Sequence, residues 1–493
     1  MTDAPPPIII VGAGLAGIAA GITLARQGVR VLLLETRKKL GGRATSFTDV
    51  RSGEELDNCQ HVVLGCCTSY LRLLAELNAA HHLTWTREQY WIEPGGRTSV
   101  IRPGPLPAPA HFTGSILAAA FLSLREKLHL ARAMNAILRV DRSAWQTRTF
   151  GEFLAHCAQP QRLVDTFWAP VIVSACNLEP ARVAASSALQ VFQEGFLADA
   201  HAADVGVSSV PLLRLYEHAE SIIQSAGGSV RLGAGVEHMS ATSVCTSAGE
   251  VLHAHRVICA LPPERAASVI DPAIASIDHR FGAMSRVQHS PILGVHLRFD
   301  RPVLDRPHCV LVNAGVQWLF RKDSDGTAVH AVISAADAWM DLTEDAISAR
   351  VLSEIKQYLP LAKDANLTWA RAVKEKRATF APTPEMEQLR PAPLPRDWPH
   401  ATPPIILAGD WVQTGWPATM EGAVRSGYRA AALALNRPVD TFVAPDMPPA
   451  RLARVLGLRP VPRPEATAPA RAAAAILTTP SASPAPQPSL AHV

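Results

Sequence analysis

Apolar residues crowd most densely near the start of the chain, where IIIVGAGLAGIAAGITLA, Ile8 to Ala25, runs for eighteen residues without a charge. That length would cross a bilayer, but its internal order points elsewhere. Ile8 to Val11 is a β-branched, strand-like run, Gly12, Gly14 and Gly17 then punctuate a turn, and an Ala-rich helical stretch comes next and ends near Gly28. A second strand, VRVLLLE, closes on the acid Glu35. Further along, Leu117, Phe121, Leu124, Leu128, Ala131, Met134 and Leu138 recur at spacings of three and four. This predicts one amphipathic helix, read as an ordinary core stripe in preference to direct membrane contact. Residues 290–302 and 308–335 hold strand-like runs, Ala346 to Leu359 is helical behind Thr343 with Glu344 and Asp345 in its first turn, and LTWARAV restores a strand. Together these runs imply a mixed sheet with covering helices.

Length adds a domain count to this picture: 493 residues, 48% of them hydrophobic, bury a large core and are expected to divide in two. Eight scattered cysteines and a start, MTDAPPP, without a charged secretory n-region fit free thiols in a reducing cytoplasm. Lys and Arg number 47 against 43 acids, a net of +4, and no nucleic-acid partner is expected. The excess sits at the C-terminus. From Met447 onward Arg451, Arg454, Arg459, Arg463 and Arg471 face Glu465 alone, leaving 42 of each sign in the rest.

GAGLAG between a strand and a helix, with an acid eighteen residues after Gly17, is the dinucleotide-binding fingerprint in its required context. Gly12 permits the tight turn, Gly14 lets backbone approach a pyrophosphate at the first helical turn (Leu15, Ala16), and Gly17 allows close packing. Glu35 would accept hydrogen bonds from a ribose. The fold class is therefore α/β.

After Glu35 the chain reads TRKKLGGRATSF, and here the sequence resembles the FAD-dependent amine oxidoreductase superfamily, in which a GGR turn succeeds the second strand's acid. Gly41, Gly42 and Arg43 match it, and an arginine fork suits a pyrophosphate. Residues 404–427, PIILAGDWVQTGWPATMEGAVRSG, resemble the family's returning segment. Gly409 and Asp410 would meet the diphosphate and ribityl region. The helix beginning at Met420, with Glu421, Gly422 and Ala423, would aim its positive N-terminus at the flavin pyrimidine oxygen. AGGSVRLGAGVEHM and RVICALPPERA resemble the two middle contributions, with Val236 at the adenine contact. The resemblance implies FAD, and a Rossmann-like FAD-binding domain built from residues 1–100, 205–285 and 396–440. An α+β substrate domain (101–204 and 286–395) is inserted in it. A short basic helix over 441–460 and a disordered Pro/Ala-rich tail over 461–493 complete the chain.

The stretch ELDNCQHVVLGCC, residues 55–67, raises a separate chemical question. Cys59, His61, Cys66 and Cys67 offer no CxxC pair and no second cluster, so no metal is expected. A thiol catalyst would need a cation to lower its pKa, and only a protonated His61 is near in sequence, so Cys66 and Cys67 read as small buried hydrophobes on opposite faces of a strand. In superfamily relatives an Asp-x-Gly turn passes the isoalloxazine at this position, with Cys59 standing here for the glycine. More closely, LDNCQHVVLGCC together with FWAPVIVSACN (167–177) resembles the hydroxysqualene dehydroxylases, the squalene-associated branch of the carotenoid-desaturase-like flavoproteins. That resemblance implies an apolar triterpene alcohol with an allylic hydroxyl. A general acid must protonate the departing oxygen, and hydride from reduced flavin must capture the cation. Asp57 and His61 are the candidates for acid and orienter, with a satisfied core pair as the plainer reading. Cys59, Gln60, Trp168 and Asn177 are candidates for the substrate or flavin face. Trp411 and Trp416 would offer ring faces to the cation, or simply pack under the flavin helix.

Two rival functions stand beside this one. A carotenoid or squalene desaturase shares fold and cofactor but moves hydride from substrate to flavin. A flavin-free prenyl-lipid binding protein would have no need of Glu35, Gly41, Gly42, Arg43 and Asp410. An electron donor outside the chain must reload the flavin. The expected location is cytoplasmic, with peripheral contact to the inner face of the membrane: PPARLARVLGLR, ahead of the tail, places Leu452, Val455 and Leu456 opposite arginines and would either dock as a C-terminal turn or tether the protein to an anionic leaflet.

Overall fold

The computed structural model describes residues 6–398 and 402–459. Its first layer is a parallel five-stranded sheet in the order Ser229–Leu232, Val31–Glu35, Ile8–Val11, Arg256–Cys259, Ile406–Leu407. The apolar run at Ile8 is its centre, paired on both sides. Helix Leu15–Arg26 is buried from Leu15 to Ala25, which explains a sequence apolar all round without any membrane. Small residues make that burial close: a Cβ added at Gly427 of helix Met420–Ala434 would stand 2.2 Å from the Ala16 carbonyl oxygen. The expected helix behind Thr343 is Glu344–Tyr358, with Thr343 Oγ1 capping the Ala346 amide.

The second layer is a seven-stranded sheet in the order Leu367–Phe380, His289–Phe299, Ala328–Ser334, Trp318–Arg321, His308–Leu311, Gln89–Ile92, Thr98–Ile101. It corrects the domain boundary expected at residue 100. Val310 pairs with Trp91 and Leu311 with Ile92, so residues 89–101 belong to the substrate sheet. Backbone hydrogen bonding decided this, and local pattern does not encode it.

Helices from Thr113 to Leu197 cover this sheet around an aromatic core of Phe150, Phe153, Trp168 and Phe192. Here the expected single amphipathic helix is corrected. The chain forms Thr113–Ala118 and then Leu124–Arg139, broken at residues 119–123. A capping box between Ser123 and Glu126 starts the second helix. Its register buries Glu126, Leu130, Ala133, Ile137 and Leu138 and leaves Leu124 and Leu128 71% and 55% exposed, and Leu117 on the first helix is 58% exposed. Glu126 goes inward because Arg162 meets both its oxygens at 2.6 Å.

The basic C-terminal segment forms only the short helix Arg451–Val455. Ala453 and Leu458, not Leu452 and Val455, enter the aromatic core's cluster, and the Ala450 amide donates to the Ala198 carbonyl at 2.8 Å. The segment is thus docked. The expected tail over 461–493 lies outside the described residues.

Candidate active site

One cavity of about 670 Å³ runs from the glycine loop into the space between the two layers. At its first end lie Gly12, Gly14, Leu15 and Ala16, then Glu35, Gly41, Gly42 and Arg43. Gly14 caps the first helix without any side-chain hydrogen bond, so the first-turn N–H groups remain free for an anion. The backbone of Gly42 approaches so closely that a Cβ there would stand 3.0 Å from Gly14 Cα. Gly17 lies behind the lining, where a Cβ would stand 1.9 Å from the Gly12 oxygen. Glu35 accepts from the Ala13 and Arg37 amides at 2.8 and 2.9 Å, which fixes the carboxylate while each oxygen keeps a further lone pair.

Arg43 donates to the Ala378 carbonyl at 2.8 Å and forms an ion pair with Asp410. The two groups expected near the diphosphate therefore hold each other in place. Gly409, Met420, Glu421 and Ala423 line the cavity beside them. Gly422 is not a lining residue, its amide being taken by the Thr419 cap. The Glu421 carboxylate also turns away from the cavity. It accepts from the Ser69 and Tyr70 amides, 3.0 and 2.7 Å, and from Arg425 at 2.6 Å, tying two helices together. Val236 does not line the cavity either, and its side chain packs with Leu32 and Leu34 in the core.

The stretch from Asp57 to Cys67 splits between structure and site. Asn58, Cys59, Gln60 and His61 line the cavity, and Asp57 does not. Asp57 is buried, and its Oδ1 accepts from Ser46 Oγ at 2.8 Å and from the Leu212 amide at 2.9 Å. Strand Glu55–Asp57 pairs with Ser46–Thr48 and directs the carboxylate to that side. This corrects its expected role as acid. Asp57→Ala is expected to lose about 1–3 kcal/mol of stability, read from the denaturation midpoint, through two stranded donors. Its turnover per bound flavin should stay within about twofold of wild type, whereas a general-acid loss would reach about a hundredfold.

His61 pairs with the Cys59 carbonyl through Nδ1 at 3.0 Å, not with Asp57. Burial holds its pKa below the ordinary value, so the ring is neutral and offers Nε2 as an acceptor. Gln60 accepts from Lys322 at 3.0 Å. Burial pushes the Cys59 thiol up to about 12, and Cys66 is raised by its neighbour Cys67 and by burial. These are thiols, not thiolates. Cys66 and Cys67 lie beyond strand Val62–Leu64, at the start of helix Thr68–Glu76, and both line the cavity, so opposite strand faces do not apply.

Trp168 is corrected too: fully buried, it donates to Gln159 Oε1 at 3.1 Å inside the aromatic core, away from the cavity. Asn177 lines the cavity but serves as a strut, donating to the Ser290 carbonyl and Thr379 Oγ1 and accepting from the Ala335 amide. Its φ of +53° suits asparagine. Trp411 and Trp416 both line the cavity. Trp411 donates to the Leu261 carbonyl at 3.1 Å, and the Arg425 guanidinium lies 4.9 Å from the Trp416 ring centre.

A family model described as flavin containing amine oxidoreductase matches residues 15–435. The chain belongs to the flavin containing amine oxidoreductase family. It is an FAD-dependent oxidoreductase. Among curated proteins it is 28% identical over 434 residues to a hydroxysqualene dehydroxylase of Rhodopseudomonas palustris, covering 86% of this chain and 97% of that one. A 15-cis-phytoene desaturase of Synechococcus elongatus is 24% identical over 468 residues, covering 87% and 96%. A solved putrescine oxidase has the same fold, with a TM-score of 0.64 at 18% identity and coverage of 88% and 100%.

The residues present fit FAD: backbone at Gly42 so close that a Cβ there would stand 3.0 Å from Gly14 Cα, an uncapped helix start, and an anchored acid and arginine at the loop. Beyond the cofactor end the cavity is walled by Trp91, Val171, Phe196, Val310, Trp318 and Phe320. At the junction stands Glu194, which sequence reading missed. It sits on the π-helical turn Gln193–Leu197, lines the cavity, and accepts from Arg142 at 2.7 Å. Burial raises its pKa against the pull of Arg142. Its neighbour Gly195 leaves room toward Cys66, whose sulfur would stand 3.9 Å from an added Cβ, and Cys66 clusters with Trp416. The only local signal was a lone acid within the apolar stretch VFQEGFL.

Buried histidines lie against the stretch from Asp57 to His61. His296 meets the Asp57 carbonyl at 2.9 Å and stacks on His330 at 3.9 Å, and burial lowers both pKa values. Burial also pushes His111 and His308 to about 4. The native state keeps these rings neutral while an unfolded chain protonates near the ordinary value of about 6.5. Stability present above about pH 6.5 should therefore fall progressively toward pH 4, with His308 alone accounting for up to ~3 kcal/mol. Denaturation midpoints at pH 7.5, 6 and 5 test this, and equal midpoints would refute it.

Proposed function

We propose that the chain reductively removes the allylic hydroxyl of hydroxysqualene to give squalene. One observation carries the reading: the FAD end of the cavity opens into an apolar, aromatic chamber, and Glu194, the lining carboxyl that burial raises, stands where they meet. Bound flavin, when reduced, supplies the hydride. Of the other lining acids, Glu35 is committed to backbone amides, Asp410 to Arg43, and Glu421 to Ser69, Tyr70 and Arg425, while Glu375 accepts from the Arg377 amide at 3.4 Å. Glu264 faces His289 at 3.5 Å and Arg377, and although burial opposes it, the histidine draws its pKa below the ordinary value.

Glu194 protonates the departing oxygen, which leaves as water, and Arg142 stabilises the carboxylate left behind. His61, neutral and fixed by the Cys59 carbonyl, accepts from the substrate hydroxyl and orients it. Trp416 presents a ring near the positive charge left on carbon. The apolar walls keep other nucleophiles from the cation. Likeness to the dehydroxylase of Rhodopseudomonas palustris supports this reading, and likeness to the phytoene desaturase favours hydride transfer the other way. Anaerobic incubation of pre-reduced protein with hydroxysqualene decides between them. Squalene with reoxidised flavin is expected. A product two hydrogens poorer than its substrate, formed by oxidised protein, would establish desaturation.

A further inference from the structure

We propose that the outer face of helices Thr113–Ala118 and Leu124–Arg139 docks on an anionic bilayer surface, over the apolar end of the cavity. Leu106, Leu117, Leu124 and Leu128 are 50%, 58%, 71% and 55% exposed. These are four of the twelve exposed large apolar side chains among the described residues, gathered within 23 positions. Scattered leucines need no explanation, but a contiguous apolar strip does.

Leu124 and Leu128 are one turn apart, and Ala131 and Asn135 continue their line on the helix. Exposed Arg125, Arg132 and Arg139 lie along one flank. On the other, Lys127 reaches the Leu117 carbonyl at 2.7 Å. Arg125 and Arg132 make no ion pair among the described residues. From residue 94 to 140 the only acid is Glu126, and it is buried against Arg162. An apolar strip edged by cations alone matches anionic headgroups over acyl chains. The docked C-terminal segment extends it: Arg139 donates to the Leu456 carbonyl at 3.1 Å, beside exposed Val455.

Two aromatic contacts join this face to the cavity. Phe112, at the start of the first helix, lies 6.2 Å from the cavity-lining Phe196, and Phe121, just before the second, stacks on the lining Trp91 at 5.1 Å. A lipid surface under these helices is thus one ring's depth from the chamber. A second copy of the chain fits less well, because a twofold contact would oppose arginine to arginine. No described helix is long and apolar enough to cross a membrane, so the contact is interfacial.

The inference takes its purpose from the apolar-substrate reading above, but its test reads binding alone, so either can fail without the other. Flavin-loaded full-length protein is sedimented with vesicles of phosphatidylcholine, alone or mixed equally with phosphatidylglycerol. Wild type should bind the mixed vesicles, with partition falling as salt rises. Leu124→Glu/Leu128→Glu should lower that partition at least about tenfold, and Arg125→Gln/Arg132→Gln should lose most of the preference for anionic lipid. Leu361→Glu, an exposed leucine elsewhere, and a chain ending at Arg459 should bind as wild type does. Flavin content confirms that each variant folds. Unchanged partition of the leucine pair, loss of binding on removing the tail, or self-association through this face without vesicle binding would each overturn the proposal.

Discussion

Glu194→Gln is expected to retain its FAD and to convert hydroxysqualene at least about a hundredfold more slowly, a general-acid effect. Glutamine keeps the shape and still offers Arg142 an acceptor, so the π-helical turn and the aromatic layer behind it are preserved. What it loses is the transferable proton. A structural role would lower stability and flavin content together, whereas the proposed role leaves both alone. The pH profile separates the two further. Burial holds the carboxyl above its ordinary value, and the reactive form is the protonated one, so wild-type kcat/KM should fall as pH rises through that raised pKa. In the variant this limb should vanish. A variant with wild-type rate, or one that keeps the alkaline limb, would remove the acid role from Glu194.

Gly17→Ala is expected to leave the protein without flavin. A Cβ at Gly17 would stand 1.9 Å from the Gly12 carbonyl oxygen, and Gly12 has no room to retreat. Its φ is +102°, and even a Cβ on Gly12 would meet the Ala260 oxygen at 2.8 Å. Helix Leu15–Arg26 would have to move off the strand that precedes it, carrying away the amides of Leu15 and Ala16. Overpacking of this kind costs about 1–3 kcal/mol or more, and the displaced amides are those that would hold the pyrophosphate. Gly114→Ala, with nothing within 4 Å of the new methyl group, controls for substitution itself. Normal yellow protein from Gly17→Ala would show that the loop tolerates a displacement the packing forbids.

The cofactor half was legible in the sequence because its determinants are local. Gly12 is demanded by its own φ of +102° and Gly17 by the Gly12 carbonyl five residues back, Gly14 stands at the helix start, and Glu35 closes its own strand. A dinucleotide site is built from backbone, and backbone demands show as glycine and alternation. The first two strands, the helix between them and the capped helix behind Thr343 were readable for the same reason.

The catalytic half depended on contacts between residues far apart in the chain. Asp57 reads as an acid beside the flavin until Ser46 and Leu212, the latter 155 residues on, claim its oxygen. Trp168 and Asn177 came from one stretch, and only packing assigned the first to the aromatic core and the second to a strut. Glu194 carries no motif, because its pKa is set by burial and by Arg142, 52 residues away. The amphipathic helix shows the limit most directly. Spacing announced an apolar stripe, but the Ser123–Glu126 cap and the Glu126–Arg162 pair turned another face inward. Sequence determined where a cofactor's backbone cradle lies, and tertiary structure decided which side chains face the substrate and which face the outside, because those depend on partners that no local pattern names.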